Sequence, residues 1–342
     1  MNFGTKKLGF GLMRLPMIGE DVDIQQCRKM VDAFMARGFC YFDTARPYIK
    51  GKSEQAVKAC LSSRYPRESY ILTDKLSHSC FSAPEDIEPF LNSQLMACGV
   101  EYLDLYLLHA MDEEYHEEYL QKGVYEEVRR LKATGKFRHL GMSFHDSAAV
   151  LDRILTDLPE IEVVQIQLNY VDMEDPRVQS RACYEVCRKH GKDMMIMEPV
   201  KGGALANLPQ EAAELFTEGS PASYAIRFCA ELEGVVMVLS GMSTLEQMED
   251  NLSFMEHFQS LTAEDHEKIA AARTIYQAAN KVPCTACRYC TDGCPAGIDI
   301  PAVFAAMNEK APVPEHNACL DCGQCEQICP QKLQIRALLG RA

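Results

Sequence analysis

The chain has 342 residues, of which 47% are hydrophobic and 25% charged, a balance that excludes a disordered chain. Its 49 acidic and 35 basic side chains give a net charge of −14, which disfavours nucleic acid as a partner. No apolar run reaches the ~20 residues that a membrane span needs, and residues 1–16 have no continuous apolar stretch of signal-peptide length. We therefore expect a cytoplasmic protein that binds neither nucleic acid nor a membrane.

Eight short apolar runs recur along the first 240 residues, and most are continuous rather than alternating, as in strands buried on both faces. Their carboxyl ends fall at residues 11, 43, 75, 109, 143, 168, 197 and 240. Each gap leaves room for one helix, and helical spacing is visible at Val124, Val128 and Leu131. Strands that alternate with helices over ~250 residues predict an α/β fold, a parallel (β/α)8 barrel of the TIM type. The rival, an open doubly wound sheet, would need a glycine-rich phosphate turn after its first strand, which the sequence lacks.

The sixteen cysteines are unevenly distributed, and eight of them lie within residues 284–329 in two runs of the same spacing. Each run reads C-x2-C-x2-C-x3-C before a proline, the bacterial ferredoxin signature in which the fourth cysteine of each run binds the other cluster. Structural zinc, the alternative, prefers two C-x2-C pairs. We therefore predict two [4Fe-4S] clusters, the first held by Cys284, Cys287, Cys290 and Cys329 and the second by Cys319, Cys322, Cys325 and Cys294.

A helix is predicted between the barrel and the cysteine module, over residues 262–280. Thr262 and Asp265 form a candidate capping pair, and an alanine-rich stretch follows them. We divide the chain into a barrel at 1–259, a connecting helix at 260–282 and a ferredoxin-type domain at 283–342. Because a helix joins the two parts instead of a flexible linker, we expect the module to dock with one cluster facing the catalytic end of the barrel.

Four polar residues lie at or just after the carboxyl ends of the second, third and fourth predicted strands. They are Asp43, Tyr48, Lys75 and His109. Strand carboxyl ends point to the face where barrel enzymes carry out their chemistry, so we expect these side chains to converge. Each residue alone would fit an ordinary buried ion pair or a satisfied histidine, whereas four in order on consecutive strands favour a catalytic site.

Residues 1–258 resemble the aldo-keto reductase superfamily. The matching stretches are FDTARPY…GKSE (42–54), TDK (73–75), LDLYLLH (103–109), GMS (141–143), VVQIQLNY (163–170) and LSGMSTLEQMEDNL (239–252). The four polar residues match the catalytic tetrad of that family residue by residue. With the cysteine module, the chain resembles the branch of aldo-keto reductases that is fused to a C-terminal two-cluster ferredoxin domain.

The resemblance implies a role for each member of the tetrad. Tyr48 would be the general acid that protonates the carbonyl oxygen, and His109 would donate a hydrogen bond that orients the carbonyl. We expect the Lys75 ammonium to lower the pKa of Tyr48, whose ordinary value of about 10 is too high for easy proton exchange. Asp43 would pair with Lys75 and hold it charged.

The resemblance also implies cofactor-binding positions. Ser143 and Gln165 match the residues that hold the nicotinamide carboxamide, and Met197 stands where the family commonly stacks a tyrosine on the ring. The stretch from Gly241 to Asn251 matches the segment that binds the adenosine half of the cofactor.

Within that segment the family's cations are replaced. Gly241 and Gln247 stand at the lysine and arginine positions that bind a 2′-phosphate, while Asp250 and Asn251 keep the acidic and asparagine pair. We therefore expect NAD(H), or no strong preference between NAD(H) and NADP(H). The altered ring stack also leaves room for a flavin, which would convert between hydride and one-electron chemistry, although no motif indicates one.

These features predict an oxidoreductase of an anaerobic or low-oxygen cell that reduces an aldehyde or ketone, or catalyses the reverse, with a nicotinamide cofactor. Its partners would be a small carbonyl or alcohol substrate and, as a candidate, a redox protein. Two alternatives stay open. Electrons would enter through the clusters, with or without a flavin, or the barrel would be the scaffold of a redox-sensing or electron-carrier protein.

Overall fold

The computed structural model describes residues 6–279 and 281–340. Those residues form ten strands, β1 (Leu8–Gly11), β2 (Met17–Ile18), β3 (Asp21–Val22), β4 (Tyr41–Asp43), β5 (Ile71–Leu76), β6 (Leu103–Met111), β7 (Phe137–Phe144), β8 (Val163–Gln167), β9 (Asp193–Met197) and β10 (Val235–Ser240). Eight strands close into a parallel barrel in the order β1-β10-β9-β8-β7-β6-β5-β4. The predicted barrel is therefore confirmed, and the antiparallel pair β2 and β3 is an addition that the sequence analysis did not predict.

Helices alternate with the barrel strands and continue into the cysteine module. The first part of the chain forms α1 (Ile24–Ala36), α2 (Lys52–Val57), α3 (Ile87–Cys98), α4 (Glu113–Lys122), α5 (Val124–Ala133), α6 (Ala148–Asp157), α7 (Ser180–Lys189), α8 (Gln210–Ala213), α9 (Pro221–Ala230), α10 (Leu245–Met255) and α11 (Ala263–Ala278). The module adds α12 (Tyr289–Asp292), α13 (Ile300–Glu309), α14 (Gln324–Gln327) and α15 (Ile335–Leu339). In the part of the chain that is described, no helix combines the length and the apolar character that crossing a membrane requires.

The connecting helix α11 begins at the predicted cap. Thr262 Oγ1 accepts a hydrogen bond from Asp265 N at 3.1 Å, and Asp265 Oδ2 accepts one from Thr262 N at 2.9 Å. Two backbone donors at the helix start are thereby satisfied, which confirms the capping pair. Ile269 and Ala272 of the helix are buried in a small core with Tyr224 of α9. This packing fixes the direction in which the chain enters the module, while residue 280 lies outside the described residues.

The interior of the barrel is filled by largely apolar side chains from five of its strands. They are Tyr41, Leu105, Leu107, Val163, Met195, Met237 and Leu239. Gly9 makes room for them, since a Cβ at that position would lie 2.7 Å from Leu239 Cδ2. Because this layer closes the barrel, ligands reach only its rim, where the polar residues at the carboxyl ends of the strands lie.

The cysteine module lies against that same rim. Arg14 Nη2 donates to Thr285 O at 2.6 Å, and Gln167 and Gln331 exchange two hydrogen bonds of 3.1 and 2.9 Å. At Gly202 a Cβ would lie 2.5 Å from Thr285 O, so the two main chains are in direct contact there. These contacts confirm that the module docks on the carboxyl-terminal end of the barrel.

Candidate active site

The four residues of the predicted tetrad lie together at the carboxyl-terminal rim of the barrel. Asp43 ends β4, Lys75 is the penultimate residue of β5, and His109 lies near the end of β6. Tyr48 begins a 3₁₀ helix, Tyr48–Gly51, shortly after β4. All four side chains are buried. The expected convergence of these four side chains is therefore confirmed, and polar residues at or near strand ends were enough to predict it.

Lys75 is the centre of the group. Its Nζ donates to Asp43 Oδ1 at 2.6 Å and to Thr44 O at 2.9 Å. The same nitrogen lies 4.8 Å from the centroid of the Tyr48 ring. The rings of Tyr48 and His109 meet edge to face with their centroids 6.1 Å apart. A buried ammonium needs a counterion of this kind, because burying an unpaired charge is costly.

The pKa of Tyr48 is raised well above its ordinary value, because burial and then the charge of Asp43 disfavour the phenolate. Asp74 and Glu198 act in the same direction. The expectation that Lys75 lowers this pKa is therefore wrong. The physical reason is that burial, and then the charge of Asp43, outweigh the stabilisation that the ammonium would give to a phenolate. Tyr48 stays protonated at neutral pH, which is the form that donates a proton.

His109 is a neutral imidazole in this site. Burial, and then the positive charge of Lys75, hold its pKa well below the ordinary value. Its Nδ1 lies 2.6 Å from Ser77 Oγ. When the Ser77 hydroxyl donates to Nδ1, the ring proton lies on Nε2 and is free for a substrate oxygen. Ser77 was missed from the sequence, although it lies two residues beyond Lys75 at the same strand end.

A cavity of about 490 Å³ extends from the tetrad to the start of α10. Six of the seven predicted cofactor-binding residues line it, namely Gln165, Met197, Gly241, Gln247, Asp250 and Asn251. The seventh, Ser143, lines a smaller neighbouring cavity, and its hydroxyl accepts a hydrogen bond from Ala110 N at 2.7 Å. The resemblance thus identified most of one continuous cavity wall.

The large cavity fits an amide-bearing nucleotide at the end nearest the tetrad. Gln165 Oε1 is buried and has no hydrogen-bond partner among the described residues, so it offers an acceptor to a ligand amide. At the far end, Asp250 Oδ2 accepts from Ser220 Oγ and Asn251 Nδ2 donates to Ser240 Oγ, both at 2.7 Å. The far wall is therefore held in shape before any ligand binds.

A cation that the sequence analysis missed lies beside Gly241. The side chain of Arg14 approaches to 3.3 Å the position that a Cβ at Gly241 would take. Arg14 lines the large cavity while its guanidinium donates to Thr285 O. A larger residue at 241 would clash with Arg14. The cavity therefore has one positively charged side chain, although Gly241 and Gln247 replace the lysine and arginine of the related sequences. Nothing local in the sequence connects these distant positions.

A second cavity, of about 70 Å³, adjoins the tetrad on the side of the module. Tyr48 and Met197 line both cavities, so their side chains lie at the boundary between the two. The module contributes Thr285, Cys287, Tyr289 and Pro330 to the wall of the small cavity. A ligand in the small cavity would therefore contact Tyr48 on one side and the module on the other.

Two further ionisable side chains of the barrel also line this small cavity. Glu198 directly follows Met197, its Oε2 is buried without a hydrogen-bond partner in the described chain, and burial raises its pKa. Burial, and then the charge of Lys332, lower the pKa of His145 to about 4, so this ring is neutral at neutral pH. Glu198 was missed from the sequence. It carries the same signal as Asp43, because it is an ionisable residue at the end of an apolar strand.

The eight cysteines of the module line two further cavities. The inner cysteine site consists of Cys284, Cys287, Cys290 and Cys329. The outer cysteine site consists of Cys294, Cys319, Cys322 and Cys325. A four-iron cluster takes one thiolate on each iron, and the donor set of each cavity fits that requirement. Across residues 6–279 and 281–340, no three His, Cys, Asp or Glu side chains are grouped as ligands of a single metal ion.

Comparison with protein families agrees with both halves of the molecule. Residues 7–274 match the model described as the Aldo/keto reductase family, and residues 283–333 match a 4Fe-4S dicluster domain. Because the first match covers most of the chain, the protein belongs to the aldo/keto reductase family. It is an oxidoreductase barrel followed by an iron–sulfur domain.

Its relatives include named reductases. The NAD(P)H-dependent D-xylose reductase of Scheffersomyces stipitis is 27% identical over 194 residues, which is 50% of this chain and 58% of that protein. The NAD/NADP-dependent indole-3-acetaldehyde reductase of Schizosaccharomyces pombe is 27% identical over 242 residues, 66% of this chain and 78% of that one. The chain thus spans little more than half the length of the xylose reductase. Aldo-keto reductase AKR11C1 from Bacillus halodurans has a TM-score of 0.65 at 23% identity, covering 80% of this chain and 95% of its own, and supports the fold.

Proposed function

We propose that this protein reduces an aldehyde or ketone to an alcohol, or catalyses the reverse, with NAD(H) or NADP(H). The observation that carries the proposal is the position of Tyr48, which lines both the large and the small cavity. A cofactor in the large cavity and a carbonyl compound in the small one would meet at its hydroxyl. The names of the relatives, which include NAD(P)H-dependent reductases, support the same reaction class.

The tetrad supplies the proton side of this chemistry. Tyr48 Oη is the proton donor to the carbonyl oxygen, since its raised pKa keeps it protonated. His109 Nε2 donates a hydrogen bond to the same oxygen and orients it. Lys75 stays in place through its ion pair with Asp43, and the burial of all four side chains keeps water away from the reacting carbonyl.

A bound nicotinamide would supply the hydride. Gln165 would hold the carboxamide through its unpartnered Oε1, and Met197 would form the wall beside the ring. Gly241, Gln247, Asp250 and Asn251 would surround the adenosine half. With Arg14 as the cation beside Gly241, we propose that the site accepts both NAD(H) and NADP(H).

The test uses protein purified without oxygen and follows the loss of nicotinamide absorbance with a panel of carbonyl compounds. Tyr48→Phe removes the proton donor and keeps the ring, so we expect turnover to fall by about 10²–10⁴-fold with cofactor affinity unchanged. Tyr170→Phe is the matched control, because Tyr170 is buried elsewhere and its hydroxyl has no partner among the described residues. Equal turnover in Tyr48→Phe and the control would refute the mechanism.

We propose that the inner and outer cysteine sites hold one [4Fe-4S] cluster each, two per chain, with the crossed ligand sets given above. The domain boundaries are proposed at 1–259, 260–282 and 283–342, in line with the family match over 283–333. Residues 1–5, 280 and 341–342 of those ranges lie outside the described residues. We propose the cytoplasm as the compartment, because eight of the sixteen cysteines form a metal-type module, whose thiolate ligands a reducing compartment preserves.

A second candidate function has one observation in its favour. Cys287 of the inner cysteine site lines the small cavity together with Tyr48, so a cluster there would lie next to the substrate. Electrons would then enter through the clusters, from a redox protein, instead of from nicotinamide. To test this, the clusters are reduced chemically without oxygen, a carbonyl compound is added without nicotinamide, and the visible absorbance is followed. Reoxidation that depends on Tyr48 supports this candidate, and clusters that stay reduced exclude it.

A further inference from the structure

The small cavity has walls from two separate parts of the chain. Tyr48, His109 and Met197 come from the barrel, and Cys287 and Tyr289 come from the module. Tyr289 and Tyr48 line the same cavity, so the ring of Tyr289 lies on the far side of that space from the tetrad. The iron–sulfur domain therefore forms one wall of the small cavity, which we call the substrate chamber. The barrel alone would not have this wall.

That wall is held in a fixed position. Thr285, at the start of the first cysteine run, receives the hydrogen bond from Arg14 and touches the main chain at Gly202. On the other side of the module, Gln167 and Gln331 exchange their two hydrogen bonds while both are buried. Because the module is attached at both sides, a substrate cannot gain space by displacing one flexible loop.

The enclosed volume limits the size of the substrate. A water molecule needs roughly 10–15 Å³ of such space, so the cavity of about 70 Å³ takes roughly five to seven water-sized groups. A compound of about four to six non-hydrogen atoms fills it, and an aromatic aldehyde exceeds it.

The charges around the cavity limit the class of substrate. Lys75 is already neutralised by Asp43, and His109 and His145 are neutral. A carboxylate on the substrate would therefore find no free cation here. The unpartnered Oε2 of Glu198 would repel an anion and accept a hydrogen bond from a hydroxyl group.

We propose that the docked iron–sulfur module restricts the barrel to small, uncharged carbonyl compounds that carry a further polar group, with Tyr289 setting the size limit. The inference rests on the proposed carbonyl reduction and names the substrate class of that same site. It makes the module part of the substrate chamber, whether or not the clusters exchange electrons with the substrate.

The first test compares four aldehydes with the complete, cluster-loaded protein. Glycolaldehyde is small, neutral and polar, propanal matches it in size without the hydroxyl, glyoxylate carries a carboxylate, and benzaldehyde is larger. We expect kcat/KM for glycolaldehyde to exceed the values for glyoxylate and benzaldehyde by at least about 10-fold, with propanal between them. If glyoxylate or benzaldehyde is reduced as efficiently as glycolaldehyde, the inference is overturned while the proposed function stands. If none of the four is reduced, the proposed function falls and the inference with it.

The second test removes the wall. Tyr289→Ala should raise the ratio of kcat/KM for benzaldehyde to that for glycolaldehyde by about 10-fold, since it opens the chamber. Tyr289→Phe, which keeps the ring, should leave the ratio unchanged. Leu320→Ala is the control, because Leu320 is an exposed residue of the module that lies at the outer cysteine site.

Tyr289 precedes the ligand Cys290, so iron content and visible absorbance are measured for every variant. Gln331→Ala supplies an independent route, because it loosens the module without changing the chamber wall, and the exposed Gln327→Ala is its control. We expect Gln331→Ala to relax the size limit as well. An unchanged substrate ratio in iron-replete Tyr289→Ala and Gln331→Ala would overturn the role of the module.

Discussion

The inner and outer cysteine sites share one sequence signature but lie in different surroundings. At the inner site, Cys290 and Cys329 are buried. Its cavity shares Thr285, Cys287 and Pro330 with the chamber beside the tetrad. The inner site is thus enclosed between the module and the barrel.

The outer site faces away from the barrel. Cys319 and Cys322 are exposed, and every residue that lines this cavity belongs to the module. Because the two cysteine runs have the same spacing, the difference arises from docking and not from the motif. Burial and solvent exposure tune the reduction potential of such clusters, so two equal motifs are expected to behave differently.

The largest expected effect comes from removing single cysteines of the crossed sets. We predict about eight iron atoms per chain, and about four in Cys294→Ser, because each four-iron cluster needs all its ligands. Cys294 lies in the first run of the sequence but lines the outer cavity with Cys322. Iron and sulfide analysis of the anaerobically purified variants measures the effect.

Double variants make the assignment of Cys294 decisive. Cys294→Ser combined with Cys322→Ser should lose no more iron than either alone, since both remove the outer cluster. Cys294→Ser combined with Cys287→Ser should lose nearly all of it. The reverse pattern would mean that Cys294 belongs to the inner cluster, and the crossed ligation would then be wrong.

A smaller effect is expected from the contact that docks the module. Gln331→Ala leaves the buried Oε1 of Gln167 without its donor, which costs about 1–3 kcal/mol. We expect the inner cluster to be lost faster on heating or with a chelator, and the outer cluster at an unchanged rate. Gln327→Ala, at an exposed position of the same module, should match the unmodified protein. Equal acceleration at both cysteine sites would mean that the contact stabilises the module as a whole and not its docking.

Much of this organisation could be predicted from sequence because it is local or periodic. The strand spacing gave the barrel, and polar residues at strand ends located Lys75 and His109. The duplicated cysteine spacing led to two sets of four, and each set lines one cavity. In each case the signal lies within a short stretch of chain whose geometry is fixed by one strand, one helix or one loop.

The parts that the sequence did not reveal depend on contacts between distant residues. Arg14 lies beside Gly241, and Tyr289 lines the cavity that contains Tyr48, yet no periodicity connects these positions. The pKa of Tyr48 was predicted in the wrong direction because the pairwise argument with Lys75 left out burial and the surrounding carboxylates. Such sums over a three-dimensional environment need the folded chain.

The smallest expected effect is a pH dependence of the free energy of unfolding that arises at His145, where the module contacts the barrel. His145 lies beside Pro330 and Lys332, and its pKa in the folded protein is about 4, against an unfolded value of about 6.5. Between those values the unfolded chain binds the extra proton, so this residue makes stability fall as pH decreases through the window from about 6.5 to about 4. Between roughly pH 7 and pH 5 the loss amounts to about 1–2 kcal/mol.

His145→Asn removes this titration, and His316→Asn is the matched control, because His316 is a partly buried histidine of the module close to the outer cysteine Cys319. Thermal unfolding at the two pH values, with the clusters loaded and without oxygen, measures the difference. We expect the melting temperature of His145→Asn to fall less on acidification than that of the unmodified protein, and that of His316→Asn to fall equally. If the melting temperature of both variants falls as much as that of the unmodified protein, the titration of His145 is not responsible for the loss of stability, and the prediction is wrong.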